Sequence, residues 1–184
     1  LHVRRAPGGE FTQRVFADLE ERSLLRIEGP LGQFGYQHDA KTPALLVGGG
    51  TGFAPLKAIL RHVLEKGLTR SLHLFWGART LADLYEHERV LEWTNTYPNL
   101  RYTPVLSNLD PDASWQGRRG LVHASVFDAY PDMTDVEIYT SGPPALVEAI
   151  KSGGLQRGLA RERLHFDSFE YAPDALAKMR QRSG

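Results

Sequence analysis

Strand-like and helix-like segments alternate along the chain from Leu45 onward. Short runs of branched and aromatic apolar residues have the length of buried strands, and the segments between them repeat apolar residues at helical spacing. The predicted strands are Leu45–Val47, Ser71–Trp76, Arg101–Leu106, Val136–Thr140 and Leu164–Phe166. The predicted helices are Pro55–Lys66, Glu86–Thr94, Ala124–Ala129 and Pro144–Lys151. Repeated strand–helix units joined by short turns predict an α/β fold, an open parallel five-stranded sheet with helices on both faces.

Glycine and proline residues mark several predicted boundaries. Gly67 is expected just past the end of the first of these helices, and the pair Gly153–Gly154 is expected to stop the last one. Pro104 lies inside the third predicted strand. Because proline cannot donate a backbone hydrogen bond, either that strand is expected at a sheet edge or Pro104 is expected near the end of the strand. The polar stretch 107–120 is predicted to be a long connection.

The first forty residues have a different pattern. His2–Arg4 and Leu24–Glu28 are strand-like, and Phe11–Leu19 has the spacing of one short helix. Two strands and a helix are too little for an independent domain, because their edges stay exposed. We therefore predict two domains, the end of an incomplete one over residues 1–40 and a complete one over residues 41–184.

Composition excludes several classes of function. The chain has 184 residues, of which 41% are hydrophobic, and its 22 basic residues equal its 22 acidic residues. This balance gives no reason to expect a nucleic acid or an anionic membrane as partner. With no apolar run of about 18 residues and no signal peptide at the start, we expect a cytoplasmic protein. The absence of cysteine excludes disulfides and iron–sulfur ligation within this chain, and the seven scattered histidines predict no metal site.

The clearest chemical signal follows the first predicted strand, in the segment Gly48-Gly49-Gly50-Thr51-Gly52-Phe53-Ala54-Pro55. Glycines let the backbone turn tightly and approach a ligand, and Pro55 suits the first turn of a helix. A helix N-terminus at this point predicts a phosphate site, because its unpaired N–H groups and its dipole favour an anion. The spacing departs from the usual dinucleotide fingerprint, so a tight turn that binds nothing stays an alternative.

Three further motifs accompany this turn in chain order. They are Gly9–Thr12 followed by Ile27–Phe34, then Phe75–Arg79 with Asp83–Tyr85, and last Tyr139–Pro144 with the ending Phe166–Phe169. Together the four segments resemble the ferredoxin–NADP reductase family, the flavin-dependent NAD(P)H reductases, over nearly the whole chain. The resemblance looks closest in the bacterial branch that holds flavin reductases, oxygenase reductase components and deoxysugar (glucoseen) reductases.

The resemblance implies how the two predicted domains divide the work. Residues 1–40 would be the C-terminal part of an antiparallel β-barrel that binds FAD, and residues 41–184 the NAD(P)H-binding reductase domain. The family's Arg-x-Tyr-Ser/Thr flavin motif does not occur in this sequence, which indicates an N-terminal truncation. We therefore expect this chain alone to bind FAD weakly or not at all and to be inactive.

Cofactor-binding roles also come from the resemblance. A glycine turn at a helix start would hold the FAD pyrophosphate, the long glycine run would cradle the pyrophosphate of NADH or NADPH, and the ends of two later strands would complete the nucleotide site. The residues implied are Gly9, Phe11 and Thr12 for FAD, and Gly49, Gly50, Thr51, Gly52, Pro55, Gly77, Ala78, Arg79, Gly142, Pro143 and Pro144 for the nucleotide. An alternative interpretation of Thr12 is that it serves only as a helix cap. Arg79 would meet a 2′-phosphate, stack on adenine or lie in solvent, with Arg118 and Arg119 as weaker candidates for the same pocket.

The resemblance implies three catalytic residues, Ser141, Asp167 and Phe169. Ser141 stands where the family usually has a cysteine beside the nicotinamide C4 and the flavin N5. Serine keeps a small polar group but loses the polarizable sulfur, so we expect hydride transfer to be slowed rather than abolished. Asp167 would orient the nicotinamide or relay a proton, and Phe169 would face the flavin ring or the nicotinamide pocket. The alternatives are a loop hydroxyl for Ser141 and a core aromatic for Phe169.

The function implied is that of an NAD(P)H-dependent flavoprotein oxidoreductase. Hydride would pass from NAD(P)H to FAD, and electrons would pass on to an iron–sulfur protein, an oxygenase or free flavin. The alternatives are a free-flavin reductase without a protein partner, and a nucleotide-binding or regulatory module without redox turnover. The choice between NADH and NADPH stays open. A Rossmann dehydrogenase is disfavoured, because the second predicted strand is not followed by the acid that such a site needs.

Overall fold

The computed structural model describes residues 1–6, 8–29, 31–37, 41–108 and 114–169. The chain divides into two compact units, one of which contains residues 1–33, while the other is Phe34–Phe169. The predicted domain boundary after residue 40 stays a prediction. Among the described residues, no helix combines the length and the apolar character that a membrane crossing requires.

The unit that contains residues 1–33 has one helix, α1, at Glu10–Ala17, close to the predicted helix. The predictions of strands at His2–Arg4 and Leu24–Glu28 are wrong, since neither segment is a strand and the described residues of this unit contain none. A strand needs a neighbour to pair its backbone groups, and these residues offer no such neighbour. The apolar side chains of Leu24 and Ile27 are accordingly exposed.

Six strands form one parallel sheet in the second unit. They are β1 Ala44–Gly49, β2 Leu72–Ala78, β3 Leu100–Leu106, β4 Arg118–Arg119, β5 Glu137–Gly142 and β6 Leu164–Ser168. Their order across the sheet is β4-β3-β2-β1-β5-β6, and every pair is parallel. The predicted open parallel sheet is confirmed, with one strand more than the five predicted. The additional strand β4 lies in the stretch predicted to be a connection.

Helices cover both faces of this sheet, as predicted. They are α2 Phe53–Glu65, α3 His87–Thr96, α4 Val122–Ala129 and α5 Pro144–Leu155. Helices α2 and α3 pack on one face, where Leu46 of β1 is buried. Helices α4 and α5 pack on the other face, where Leu45 and Val47 of β1 are buried. Central strands covered on both sides are apolar at every position, which is why β1 is a continuous hydrophobic run.

One of the two predicted helix ends is confirmed, and the other is wrong. Gly67 follows α2 with a φ of 65°, and the Leu68 N–H bonds back to the Val63 carbonyl at 3.0 Å, which is the usual glycine-ended helix. The pair Gly153–Gly154 does not stop α5 but lies buried inside it. A Cβ on Gly153 would overlap the Phe127 ring of α4, so this glycine permits the close packing of two helices.

The direction of the chain across the sheet reverses at β1. From β1 the chain proceeds to β2 and β3 on one side, whereas β5 and β6 lie on the other side. In open parallel sheets, ligands bind outside the carboxyl ends of the strands at such a reversal. The ends of β1 and β5 therefore define the edge at which a ligand crevice is expected.

Candidate functional site

A glycine turn connects β1 to α2 at this edge. Residues Gly50–Gly52 form one turn of 3₁₀ helix that leads directly into α2. Gly50 has a φ of 55°, in the left-handed region where glycine is favoured. The first N–H groups of a helix have no partner within it, so this turn presents donors suited to a phosphate.

The turn contacts the end of β5 backbone to backbone. A Cβ on Gly52 would collide with the Ser141 carbonyl oxygen and would lie 2.5 Å from its carbon. Gly142 has a φ of 135°, and a Cβ there would lie 2.8 Å from the Gly49 carbonyl oxygen. A Cβ on Gly49 would lie 2.9 Å from Cδ2 of Leu146 on α5. At Gly52 and Gly142 a Cβ would meet backbone atoms, so only glycine permits these two approaches, and bare backbone is left where the two strand ends meet.

The three predicted catalytic residues lie together at the ends of β5 and β6. Ser141 is fully buried, and its hydroxyl has no hydrogen-bond partner within the described part of the chain. Asp167 is the register partner of Ser141 on the neighbouring strand, so the two side chains lie on the same face of the sheet. The Phe169 N–H donates to the Gly142 carbonyl at 2.9 Å, which holds Phe169 just beyond the same edge.

Pro143 and Pro144 connect this strand end to α5. Pro143 is the N-cap residue and Pro144 the first residue of the helix, where a missing N–H is tolerated. The Leu146 N–H donates to the Pro143 carbonyl at 2.9 Å. A second helix therefore begins at the carboxyl edge of the sheet, beside the glycine turn.

The end of β2 carries the third group of predicted nucleotide-binding residues. Gly77 is the register partner of Gly49, and the Ala78 carbonyl accepts a bond of 3.0 Å from the Ser107 N–H. Arg79 is exposed, and its guanidinium has no hydrogen-bond or ion-pair partner among the residues that the structure describes. The nearest following acid, Asp83, accepts from the backbone N–H and the hydroxyl of Thr80 at 3.1 and 2.9 Å. This end of the site therefore presents a cation, while the acid is held in a local turn.

Trp76 is a residue whose contribution the sequence did not reveal. It lies on β2 and is fully buried, and its indole Nε1–H donates to the Gly50 carbonyl at 2.9 Å. Its ring stacks on Phe53 at the start of α2, with centroids 3.9 Å apart and planes 14° apart. Tyr85 meets the same indole edge-on at 5.2 Å. A buried tryptophan needs a partner for its N–H, but a sequence does not say which one.

An ion pair joins α2 to the segment before α3. Lys57 Nζ lies 2.5 Å from Oε1 of Glu86, with side chains that are 14% and 20% exposed. Burial, together with the charge of Glu86, raises the pKa of Tyr85 to about 12. Tyr85 and Glu86 line a cavity of about 460 Å³ among residues 81–89. No local pattern in the sequence indicates this pair, since its members lie on different elements.

The three residues predicted to bind FAD lie in the other unit. Gly9 is the N-cap residue of α1, and no residue of this helix is buried. The Thr12 hydroxyl accepts from the Ala6 N–H at 3.1 Å and lies 3.2 Å from the Gly9 carbonyl oxygen. Phe11 is 67% exposed. Thr12 thus ties the loop before α1 to the first turn of the helix, but no side chain caps this helix, and the role of Thr12 toward a flavin stays a prediction.

Comparison with known proteins gives consistent matches. The model of the oxidoreductase NAD-binding domain matches residues 46–152. The CDP-6-deoxy-L-threo-D-glycero-4-hexulose-3-dehydrase reductase of Yersinia pestis is 35% identical over 169 residues, 92% of this chain and 50% of that protein. The ferredoxin–NAD(P)(+) reductase component of the naphthalene 1,2-dioxygenase/salicylate 5-hydroxylase systems of a Ralstonia species is 34% identical over 92% of this chain and 51% of its own length.

A solved structure gives the same picture. The crystal structure of the Amycolatopsis cytochrome P450 reductase GcoB matches with a TM-score of 0.78 and 35% identity, over 92% of this chain and 51% of that one. The chain spans about half the length of the curated relatives that it matches.

Proposed function

The chain belongs to the oxidoreductase NAD-binding domain family, and we propose that it binds NADH or NADPH as the nucleotide-binding part of a flavoprotein reductase. The observation that carries the proposal is the glycine-only contact between the turn after β1 and the end of β5. Such a contact brings the first turn of α2, whose N–H groups have no partner within the helix, to the strand ends where parallel sheets bind dinucleotides. A nucleotide therefore fits the residues present.

The parts of the dinucleotide would lie along the carboxyl edge of the sheet. The N–H groups of the turn Gly49–Gly52 and of the first turn of α2, which contains Pro55, would hold the pyrophosphate. The ends of β2, with Gly77, Ala78 and Arg79, would face the adenosine half. Gly142, Pro143 and Pro144 would border the nicotinamide half.

Ser141, Asp167 and Phe169 would act at the nicotinamide. When bound, the nicotinamide supplies a hydride and the flavin accepts it. The Ser141 hydroxyl is fully buried and has no partner among the described residues, so its role is supported by its place at the end of β5 beside Asp167. Asp167 would orient the nicotinamide by its charge, and Phe169 would exclude water from the crevice.

For the whole protein we propose an NAD(P)H-dependent reductase that uses FAD. Gly9, Phe11 and Thr12 would contact the flavin there, together with residues outside this sequence. The similarity to a reductase component of an oxygenase system supports an iron–sulfur protein or an oxygenase as electron acceptor. A free-flavin reductase would differ in needing no protein acceptor, and a regulatory module would bind the nucleotide without reducing ferricyanide. The cytoplasmic location stays a prediction.

Calorimetry with this chain tests the nucleotide site directly. NAD⁺, NADP⁺, AMP and 2′-phospho-AMP are titrated into the chain and into the variant Arg79→Gln. We expect saturable binding of at least one dinucleotide. A preference for 2′-phospho-AMP that disappears in the variant would assign Arg79 to the 2′-phosphate, and equal binding of both fragments would return Arg79 to solvent. A chain that binds none of the four ligands would contradict the proposed function.

Ser141→Cys tests the site of hydride transfer in the flavin-loaded full-length protein. We expect a faster hydride-transfer step in stopped-flow absorbance, because the thiol restores a polarizable group beside the nicotinamide. The matched control is Thr140→Cys, since the neighbouring Thr140 is equally buried but lies on the opposite face of β5. An unchanged or slower step in Ser141→Cys would refute the assignment.

A further inference from the structure

The Gly50 carbonyl at the head of the glycine turn accepts two hydrogen bonds. One comes from the Phe53 N–H within the turn. The other comes from the indole Nε1–H of Trp76, at 2.9 Å, on the neighbouring strand. Trp76 is fully buried and stacks on Phe53, so its indole cannot follow the carbonyl if the turn changes conformation.

The second bond fixes the orientation of one peptide group. In a trans peptide the carbonyl and the N–H of the next residue point in opposite directions. A Gly50 carbonyl held toward Trp76 therefore directs the Thr51 N–H away from Trp76. Gly50, with its φ of 55°, lies in a glycine-rich turn, and glycine has more backbone conformations open to it than any other residue type. The indole restricts that freedom at the point where unpaired N–H groups begin.

We propose that Trp76 is a positioning residue for the dinucleotide, which sets the Gly50–Thr51 peptide so that the Thr51 N–H faces the pyrophosphate. The inference rests on the proposed function. According to this inference, Trp76 affects the binding of the pyrophosphate but not that of the adenosine. A residue that only stabilised the fold would affect both parts alike.

Trp76→Phe removes the indole N–H and keeps an aromatic ring on Phe53. The two probes are ADP-ribose, which contains the pyrophosphate, and adenosine, which lacks it. Binding of ADP-ribose is measured by calorimetry, and binding of adenosine by NMR titration. The loss of one hydrogen bond weakens an interaction by about twofold to tenfold, and we expect ADP-ribose affinity to fall by about fivefold while adenosine affinity changes less than twofold. The matched control Trp93→Phe, on α3, makes the same substitution away from the turn and should preserve both affinities.

The outcomes separate the inference from the proposed function. Equal ADP-ribose affinity in Trp76→Phe and the original chain would overturn the inference and leave the proposed function standing. A parallel loss of affinity for both ligands would also overturn it, because the effect would then be a general loss of structure. If the original chain binds neither ligand, the proposed function fails and the inference falls with it.

Discussion

Replacing Gly52 by alanine would test the backbone contact on which the crevice depends. Gly52 has φ and ψ of −58° and −11°, which alanine adopts freely, and alanine is favoured over glycine in a helix by about 1 kcal/mol. Conformational preference alone would thus make the variant more stable. The added Cβ, however, would lie 2.5 Å from the Ser141 carbonyl carbon and 2.7 Å from Cα of Gly142.

The size of the effect follows from these distances. Carbon atoms pack at about 3.5 Å or more, so the turn and the end of β5 would have to separate by about 1 Å. Overpacking of this kind costs about 1–3 kcal/mol. After the gain in helix preference, we expect the free energy of unfolding to fall by about 1 kcal/mol. ADP-ribose affinity should fall by about tenfold or more, because displacements of about 1 Å strongly affect binding geometry.

Urea unfolding followed by tryptophan fluorescence measures the stability, and calorimetry with ADP-ribose measures the affinity. Gly35→Ala is the matched control, because Gly35 has no atom within 4 Å of an added Cβ. A Gly52→Ala chain as stable and as tightly binding as the original would refute the reasoning. Equal losses in Gly35→Ala would show that the effect is not specific to the contact with β5.

Two further predictions concern buried ionisable side chains. Burial and the positive charge of Arg101 lower the pKa of His73 to about 4, so between pH 6.5 and 4 the unfolded chain binds the additional proton and stability falls as pH falls. When the pH is lowered from 7 to 5, we expect the free energy of unfolding to fall by up to about 2 kcal/mol more in the original chain than in His73→Gln. Equal falls in the two proteins would contradict a neutral His73 in the folded chain. Lys57→Met leaves the largely buried Glu86 without its close partner, and we expect a loss of about 2 kcal/mol in urea unfolding at pH 7. Adding Glu86→Leu should restore most of it, and a double variant no more stable than Lys57→Met would refute the pairing.

The sheet was predictable where burial imposes a pattern. Strand β1 is covered on both faces, and a strand in that position must be apolar throughout. Strand β4 consists of Arg118–Arg119 and has no apolar pattern, so nothing in its sequence distinguishes it from a loop. The prediction that Gly153–Gly154 ends α5 is wrong, because a glycine that permits close packing looks the same in a sequence as one that ends a helix.

The resemblance to the ferredoxin–NADP reductases is confirmed by the family match, and the structure brings Ser141, Asp167 and Phe169 to one edge. Contacts between distant segments were not predictable. The bond from Trp76 to Gly50 depends on the register of β2 against β1, and the Lys57–Glu86 pair depends on how α2 and α3 pack. Neither register nor packing can be read from local patterns, although both determine the shape of the turn.

The position of β1 in the sheet also has a consequence for the order in which the chain is made. Strand β1 pairs on one side with β2, which follows it after one helix, but on the other side with β5, which leaves the ribosome only after β2, β3 and β4. The edge of β1 that will face β5 therefore stays open until β5 has been made. Contacts so distant in sequence form slowly, and transiently open apolar strands favour aggregation. The proposed nucleotide crevice would accordingly be among the last parts of this domain to form.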